Sequence, residues 1–184
     1  MPMDRDSALN LLKANLKNKN LFKHCLACEA VLGALARRLG EDEETWRLAG
    51  LLHDVDYDRT ADSPDDHGRI GAQMLQDAGV ESEITQAVLA HANHAPRQSR
   101  LDKALWCADP LTGLIVAAAL IRSEKKLSAI DTQFVLNRMK EKSFARGANR
   151  DQIRACEQEL GLDLEEFVGI SLKAMQDIGD DLGL

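Results

Sequence analysis

His53 and Asp54 are adjacent, directly after the apolar run Leu48-Ala-Gly-Leu-Leu52. A polar pair following a core-facing segment stands near the interior, where an imidazole or carboxylate without a partner is costly. A divalent cation is one way to supply that partner. His24 lies upstream, on a segment that also carries Glu29, and Asp109 lies downstream, just before Pro110. Imidazole nitrogens and carboxylate oxygens in one set suit Mn, Fe, Zn, Ni, Co or Mg, and leave coordination positions for water and substrate. On spacing alone the same residues read first as satisfied structural histidines, with the metal reading open beside it.

Two other constellations fail on chemistry. Cys25-x-x-Cys28 has no second cysteine pair to complete a zinc site, and it reads as helix interior rather than as a strand-to-helix redox turn. The run Asp54-Val-Asp56-Tyr-Asp58 opens like a calcium loop, but Arg59 stands where the turn needs glycine and the chelating glutamate is missing. Asp56 and Asp58 then read as loop caps, or as aids to proton transfer beside a metal.

The elements that must position these groups read as helices almost throughout. Leu9, Leu12 and Leu16 mark a first helix; His24 to Leu39 reads as a second, closed by Gly40; Glu43 to about Asp54 reads as a third. Asp56 to Asp62 is polar and loop-like, and Ser63-Pro64 is a capping hydroxyl with proline behind it, predicting a helix to about Ala78. Further helices are expected over Glu83–Asn93, Leu101–Ala108, Leu111–Arg122, Thr132–Glu141 and Asp151–Leu160, with Pro110 as a break. Asp163 and Glu166 form a capping-box pattern for a last helix reaching about Leu182. The expectation is an all-α bundle of eight to ten helices in one domain over residues 1–184.

The formal charge of −7 argues against tracking a nucleic-acid backbone, though not against a small anion, since a bound metal reverses the local field. The longest apolar run, Leu114 to Ile121, is too short to span a bilayer. No secretory leader opens the chain, and the four cysteines form no disulfide-dense scaffold, so a cytoplasmic protein with reduced thiols is expected.

The ordered set His24…His53-Asp54…Asp109 resembles the signature of the HD-domain superfamily of metal-dependent phosphohydrolases. The segments HCLACEAVLGALAR, LAGLLHDVDYD and KALWCADPLTGL resemble the family's first-histidine helix, paired His-Asp and closing aspartate. The resemblance covers about residues 21–121, an HD core with a helical flank over 122–184. It implies that His24, His53, Asp54 and Asp109 ligate a first metal, with Asp54 the catalytic carboxylate, able also to touch a second ion. His67 and His91 resemble the extra histidines of two-metal members. His94, three residues from His91 on the expected helix, would share its face.

The activity so implied is hydrolysis of a phosphomonoester, nucleotide or phosphodiester by metal-activated water, with one or two divalent ions. His94, Arg97, Arg100 and Lys103 are candidates to meet a small phosphorylated substrate. The stretch from Arg122 to Arg154 holds nine cationic and four acidic residues, and reads as a solvated face or as a lid over phosphate. The Gly-Tyr-Pro motif of the signalling-dinucleotide phosphodiesterases is absent; HANHAPRQSR stands in its place. A diiron oxygenase of the same superfamily and a non-catalytic regulatory HD module are the alternatives.

Overall fold

Two 21-residue helices carry the architecture: α2 (Lys19–Leu39) and α7 (Arg100–Leu120) in a computed structural model that describes residues 3–184. Each is started by a side chain that satisfies orphan backbone donors. Asn18 Oδ1 accepts from the N–H of Asn20 and Leu21, and Ser99 with Asp102 forms a reciprocal capping box. Gly40, at φ 73°, ends α2 in the left-handed conformation that glycine adopts without strain.

Around this pair lie α1 (Arg5–Asn15), α3 (Glu43–Leu52), α4 (Tyr57–Thr60), α5 (Arg69–Asp77), α6 (Ser82–His91) and α8 (Thr132–Lys140). The chain closes with α9 (Arg150–Arg154), α10 (Cys156–Leu160), α11 (Leu164–Asp177) and α12 (Gly179–Leu182). Among the described residues there is no strand, and eight helices have nine residues or more. The fold is an all-α bundle whose buried apolar cluster runs from Ala8 to Leu182, dominated by Leu, Ala, Val and Ile as the low aromatic content requires.

α2 packs more extensively on α3 than any other two elements do. The reason is Gly50: a Cβ added there would stand 2.6 Å from the carbonyl oxygen of Cys28, so the two backbones touch. That contact sets His24 on α2 against His53 just past α3. Nearby, the buried Glu29 carboxylate takes Arg5 at 2.5 and 2.9 Å and Arg47 at 2.8 Å, so α1, α2 and α3 share one compensated charge.

The helix boundaries differ from expectation where distant contacts intervene. α2 begins at Lys19, upstream of the expected His24, because Asn18 supplies the cap. Pro110 does not break α7. The N–H it lacks would have bonded the Trp106 carbonyl, and the Gln152 side-chain amide donates to that carbonyl instead. Buried Leu105, Ala108, Leu111 and Leu114 then carry the helix through. Uninterrupted, α7 is long and apolar enough to cross a membrane, yet α2, α6, α8, α9, α10 and α11 all pack on it. Ser63-Pro64 starts only the short 3-10 turn Pro64–Asp66; α5 begins after Gly68. The expected helix over 151–160 is offset at Ala155 into α9 and α10. Asp163 caps α11, but Glu166 is drawn away to Arg38, so the box does not close.

Gly50→Ala forces α3 away from α2. We predict a loss of about 1–3 kcal/mol in denaturant unfolding, the usual cost of overpacking. Gly113→Ala on α7, where an added Cβ meets nothing within 4 Å, leaves stability unharmed.

Candidate metal centre

Four imidazoles converge on one carboxylate. Asp54 Oδ2 faces His24 Nε2 at 3.6 Å and His53 Nε2 at 3.4 Å, and Asp54 Oδ1 faces His67 Nε2 at 3.3 Å and His91 Nε2 at 3.7 Å. Asp109 Oδ1 closes the first half, 3.0 Å from His24 Nε2 and 3.9 Å from His53 Nε2. Within the halves, the Nε2 atoms of His24 and His53 are 3.1 Å apart and those of His67 and His91 3.3 Å. Donors about 2.1 Å from a metal stand about 3.0–3.4 Å from one another on an octahedron or tetrahedron. Five of the eight separations, 3.0–3.4 Å, fit that edge length, and the other three, 3.6, 3.7 and 3.9 Å, are slightly longer, so the donor set fits a divalent ion with small side-chain adjustments.

Each ring is aimed by a partner on its other nitrogen. Helix ends leave their last carbonyls without intrahelical donors, and α3 and α6 use this. His53 Nδ1 donates to Gly50 O at 2.9 Å, and His91 Nδ1 donates to Val88 O, each ring turning back three residues onto its own helix end. On α2, His24 Nδ1 donates to Thr112 Oγ1 at 3.0 Å, and that hydroxyl spends its proton on Asp109 O at 2.9 Å. His67 Nδ1 donates to Asp56 Oδ1 at 3.0 Å. With Nδ1 carrying the proton in all four, every Nε2 presents its lone pair to the centre, as ligation requires.

Asp56 does more than cap a loop. It is fully buried, and its Oδ2 accepts from Gly68 N at 2.8 Å and Gly71 N at 2.7 Å while Oδ1 holds His67. It thus caps α5 from a distance and fixes the second half of the centre in one step. Gly68 is at φ 79°, and a Cβ there would lie 2.5 Å from that of Ala92, so only glycine fits after His67. Asp58 Oδ2 accepts from Lys17 N at 2.5 Å, away from the centre.

The electrostatics follow from burying charge of both signs together. Burial opposes the Asp54 carboxylate, yet His53, His67 and His91 hold its pKa well below the usual value. Burial opposes protonated His53 and His67 too; Asp54, joined for His67 by Asp56, outweighs it and raises them to about 9 and about 10. His24 is likewise held well above the ordinary value, burial opposing it and Cys28 and Asp109 favouring it. The Cys28 thiol lies beside the His24 ring, 3.9 Å from Nε2, and its sulfur is within 4.8 Å of donor atoms of His24, His53 and Asp109. All four cysteines are buried and free.

The structure places the remaining expected residues elsewhere. His91 ends α6, Asn93 turns the chain at φ 62°, and His94 therefore leaves the His91 face and accepts from Arg69 Nε at 3.0 Å. Arg97 lies over the Trp106 ring at 4.0 Å, Arg100 pairs with Glu41 at 3.0 Å, and Lys103 pairs with Glu159 at 3.2 Å. None of these lines the cavity that opens onto His24 and Asp109. Thr112 is an orienting group that sequence reading passed over, and Asp56, read there as a loop cap or proton-transfer aid, orients His67 instead. Thr112 had one signal, its position three residues after Asp109 on the same helix face.

The HD domain family profile matches residues 21–133. The chain belongs to the HD-domain family, a superfamily of metal-dependent hydrolases. Among curated proteins it is 32% identical over 96 residues to a ribonuclease Y of Oleidesulfovibrio alaskensis, covering 52% of this chain and 18% of that protein. It is 29% identical over 136 residues to the ribonuclease Y of Desulfotalea psychrophila, 72% of this chain and 26% of that protein. An uncharacterized protein of Methanocaldococcus jannaschii is 34% identical over 94 residues, 48% of this chain and 54% of that protein. The chain therefore spans only a fraction of the ribonuclease Y proteins it resembles.

Two outcomes are expected. Asp56→Asn and Thr112→Val lower metal affinity by about 10–100-fold, as loss of an orienting partner does, measured by competition with a chromophoric chelator. His53 and His67 carry pKa values above the unfolded value, so their contribution to stability is complete below about pH 6.5. It is lost as pH rises through about 9 and about 10. The metal-free protein should lose stability across that window in thermal melts. The metal-loaded protein, with its Nε2 atoms already unprotonated, should not.

Proposed function

We propose that this chain is a phosphohydrolase that opens a phosphoester with metal-activated water, using two divalent ions of the Mn, Fe, Ni, Co, Zn or Mg group. The observation that carries this reading is the division of Asp54, one oxygen to each imidazole pair. In this reading His24, His53, Asp54 and Asp109 would hold one ion, and Asp54, His67 and His91 would hold the other. Bound ions there supply a Lewis acid for a phosphoryl oxygen and a water acidic enough to attack at neutral pH. Asp54 holds the two halves in register, one oxygen against each imidazole pair, and would be the carboxylate shared by the ions. Asp109, the more exposed of the two carboxylates, faces the side from which substrate enters. The Nδ1 anchors keep the rings from turning when substrate binds, so the site is organised before the reaction.

Family membership supports a hydrolase, and relatives bearing the name ribonuclease support a phosphodiester as one ester within reach. The substrate we favour is small. A net charge of −7 disfavours a polyanion, and the buried free thiols suit the reducing cytoplasm. We read residues 1–184 as one domain acting without nucleic acid or membrane.

The test is a panel of 4-nitrophenyl phosphate, bis(4-nitrophenyl) phosphate and nucleotides, assayed on metal-stripped protein with each metal returned. Chelation should abolish turnover, Mn, Co, Ni or Mg should restore it, and about two ions should bind per chain. His67→Ala with His91→Ala should reduce this to about one. Steady turnover in the stripped protein would sink the reading. Sub-micromolar binding to unrelated DNA at physiological salt would contradict the small-substrate assignment.

A further inference from the structure

The loop between α8 and α9 forms the wall facing the centre. Ala145, Arg146, Gly147 and Ala148 line a cavity of about 330 Å³ together with His24, Asp109, Pro110 and Gly113. This is the cavity through which Asp109, with 31% of its side chain exposed, meets solvent.

The loop is built around a guanidinium. Arg150 Nη1 donates to the carbonyls of Ala145 and Ala148 at 2.6 and 2.7 Å, and Nη2 donates to those of Phe144 and Glu141. The carbonyls of Glu141 and Ala145 also accept from Phe144 N and Ala148 N, so two backbone turns and one guanidinium together shape the loop. Ala145 sits at φ 42°, a conformation alanine adopts only where its surroundings impose it, and its carbonyl is held by both Arg150 Nη1 and Ala148 N. The result is a shaped loop pinned by the first residue of α9.

Arg146 is the residue this loop displays. The other arginines of the described residues are all engaged. Some pair with carboxylates, as Arg5, Arg38, Arg47 and Arg100 do; Arg97 stacks on Trp106 and holds Asn93; Arg150 holds the loop. Arg146 alone among them has no ion pair, hydrogen bond or aromatic ring against it. An exposed, uncommitted arginine lining the same cavity as His24 and Asp109 has a fork of donors matched to two phosphate oxygens.

We propose that Arg146 binds the substrate phosphate, taking its non-bridging oxygens while the ester lies against the His24–Asp109 half of the centre. The proposal rests on the phosphohydrolase reading above. It also assigns a use to the cationic stretch between Arg122 and Arg154: one of its nine cations meets substrate, and Arg150 holds the loop that carries it.

The test uses the full chain loaded with Mn, and inorganic phosphate as the probe in isothermal titration, with metal content measured on the same samples. Arg146→Ala should weaken phosphate binding about 10–100-fold, the loss expected for charge-assisted hydrogen bonds, with metal content unchanged. Arg146→Lys should recover part of it, keeping the charge but not the fork. Arg154→Ala, an exposed arginine paired only with Asp151 on the far end of α9, should bind as wild type. With an ester that turns over, Arg146→Ala should raise KM more than it lowers kcat. Wild-type affinity for phosphate in Arg146→Ala at full metal content overturns the proposal and leaves the phosphohydrolase reading intact. Loss of metal in that variant shows that Arg146 supports the fold, and overturns it as well. A metal-loaded wild type that neither binds phosphate nor hydrolyses any ester overturns both.

Discussion

Everything in this molecule is arranged about one shared carboxylate. Asp54 is buried, and a buried carboxylate is stable only with partners on both oxygens. Four imidazoles from four separate stretches of chain provide them, two to each oxygen. That requirement dictates how closely the helices approach. α2 must touch α3 along the Gly50 contact for His24 to reach Asp54, and the turn before α5 must fold back under Asp56 for His67 to reach it. α6 must end where His91 points inward.

The second constraint is orientational, and local helix chemistry meets it. A helix end has carbonyls to spare; an imidazole has one nitrogen to give away and one to keep. His53 and His91 join these two facts, each tied to a carbonyl three residues back. The same hydrogen bond terminates the helix, selects the tautomer and aims the ring. His24 and His67 lie away from helix C-termini and need side chains, Thr112 and Asp56, for the same task. The four rings therefore reach one geometry by two routes.

The sequence made the helical class and the principal donors legible, because both are written locally. Apolar periodicity marks the helices, and the His53-Asp54 dipeptide with the contexts of His24 and Asp109 marks the donors. Whatever depends on contacts between distant positions was not legible. Pro110 reads as a break because the compensating amide, on Gln152, lies far along the chain. Ser63-Pro64 reads as a helix start because nothing nearby reveals that Asp56 caps α5 instead. His94 reads as a companion of His91 because ideal helix spacing was carried past the point where Asn93 turns the chain. Arg97, Arg100 and Lys103 read as free cations because Trp106, Glu41 and Glu159, their partners, are not visible as such in a linear text.

The bond from Gln152 to the Trp106 carbonyl bears on where this chain's working unit ends. The family profile ends at residue 133, and the sequence resemblance ends earlier still, near Ile121. Yet the turn of α7 that carries Asp109 owes its unbroken backbone to a side chain beyond both limits. The flank past residue 133 also supplies α9, α10 and α11, which cover α7. A fragment trimmed to the recognisable motif would keep every donor atom and lose the helix geometry that aligns one of them. In this chain the unit that holds the centre is larger than the stretch the family profile matches, and a boundary drawn at that match would pass through α8.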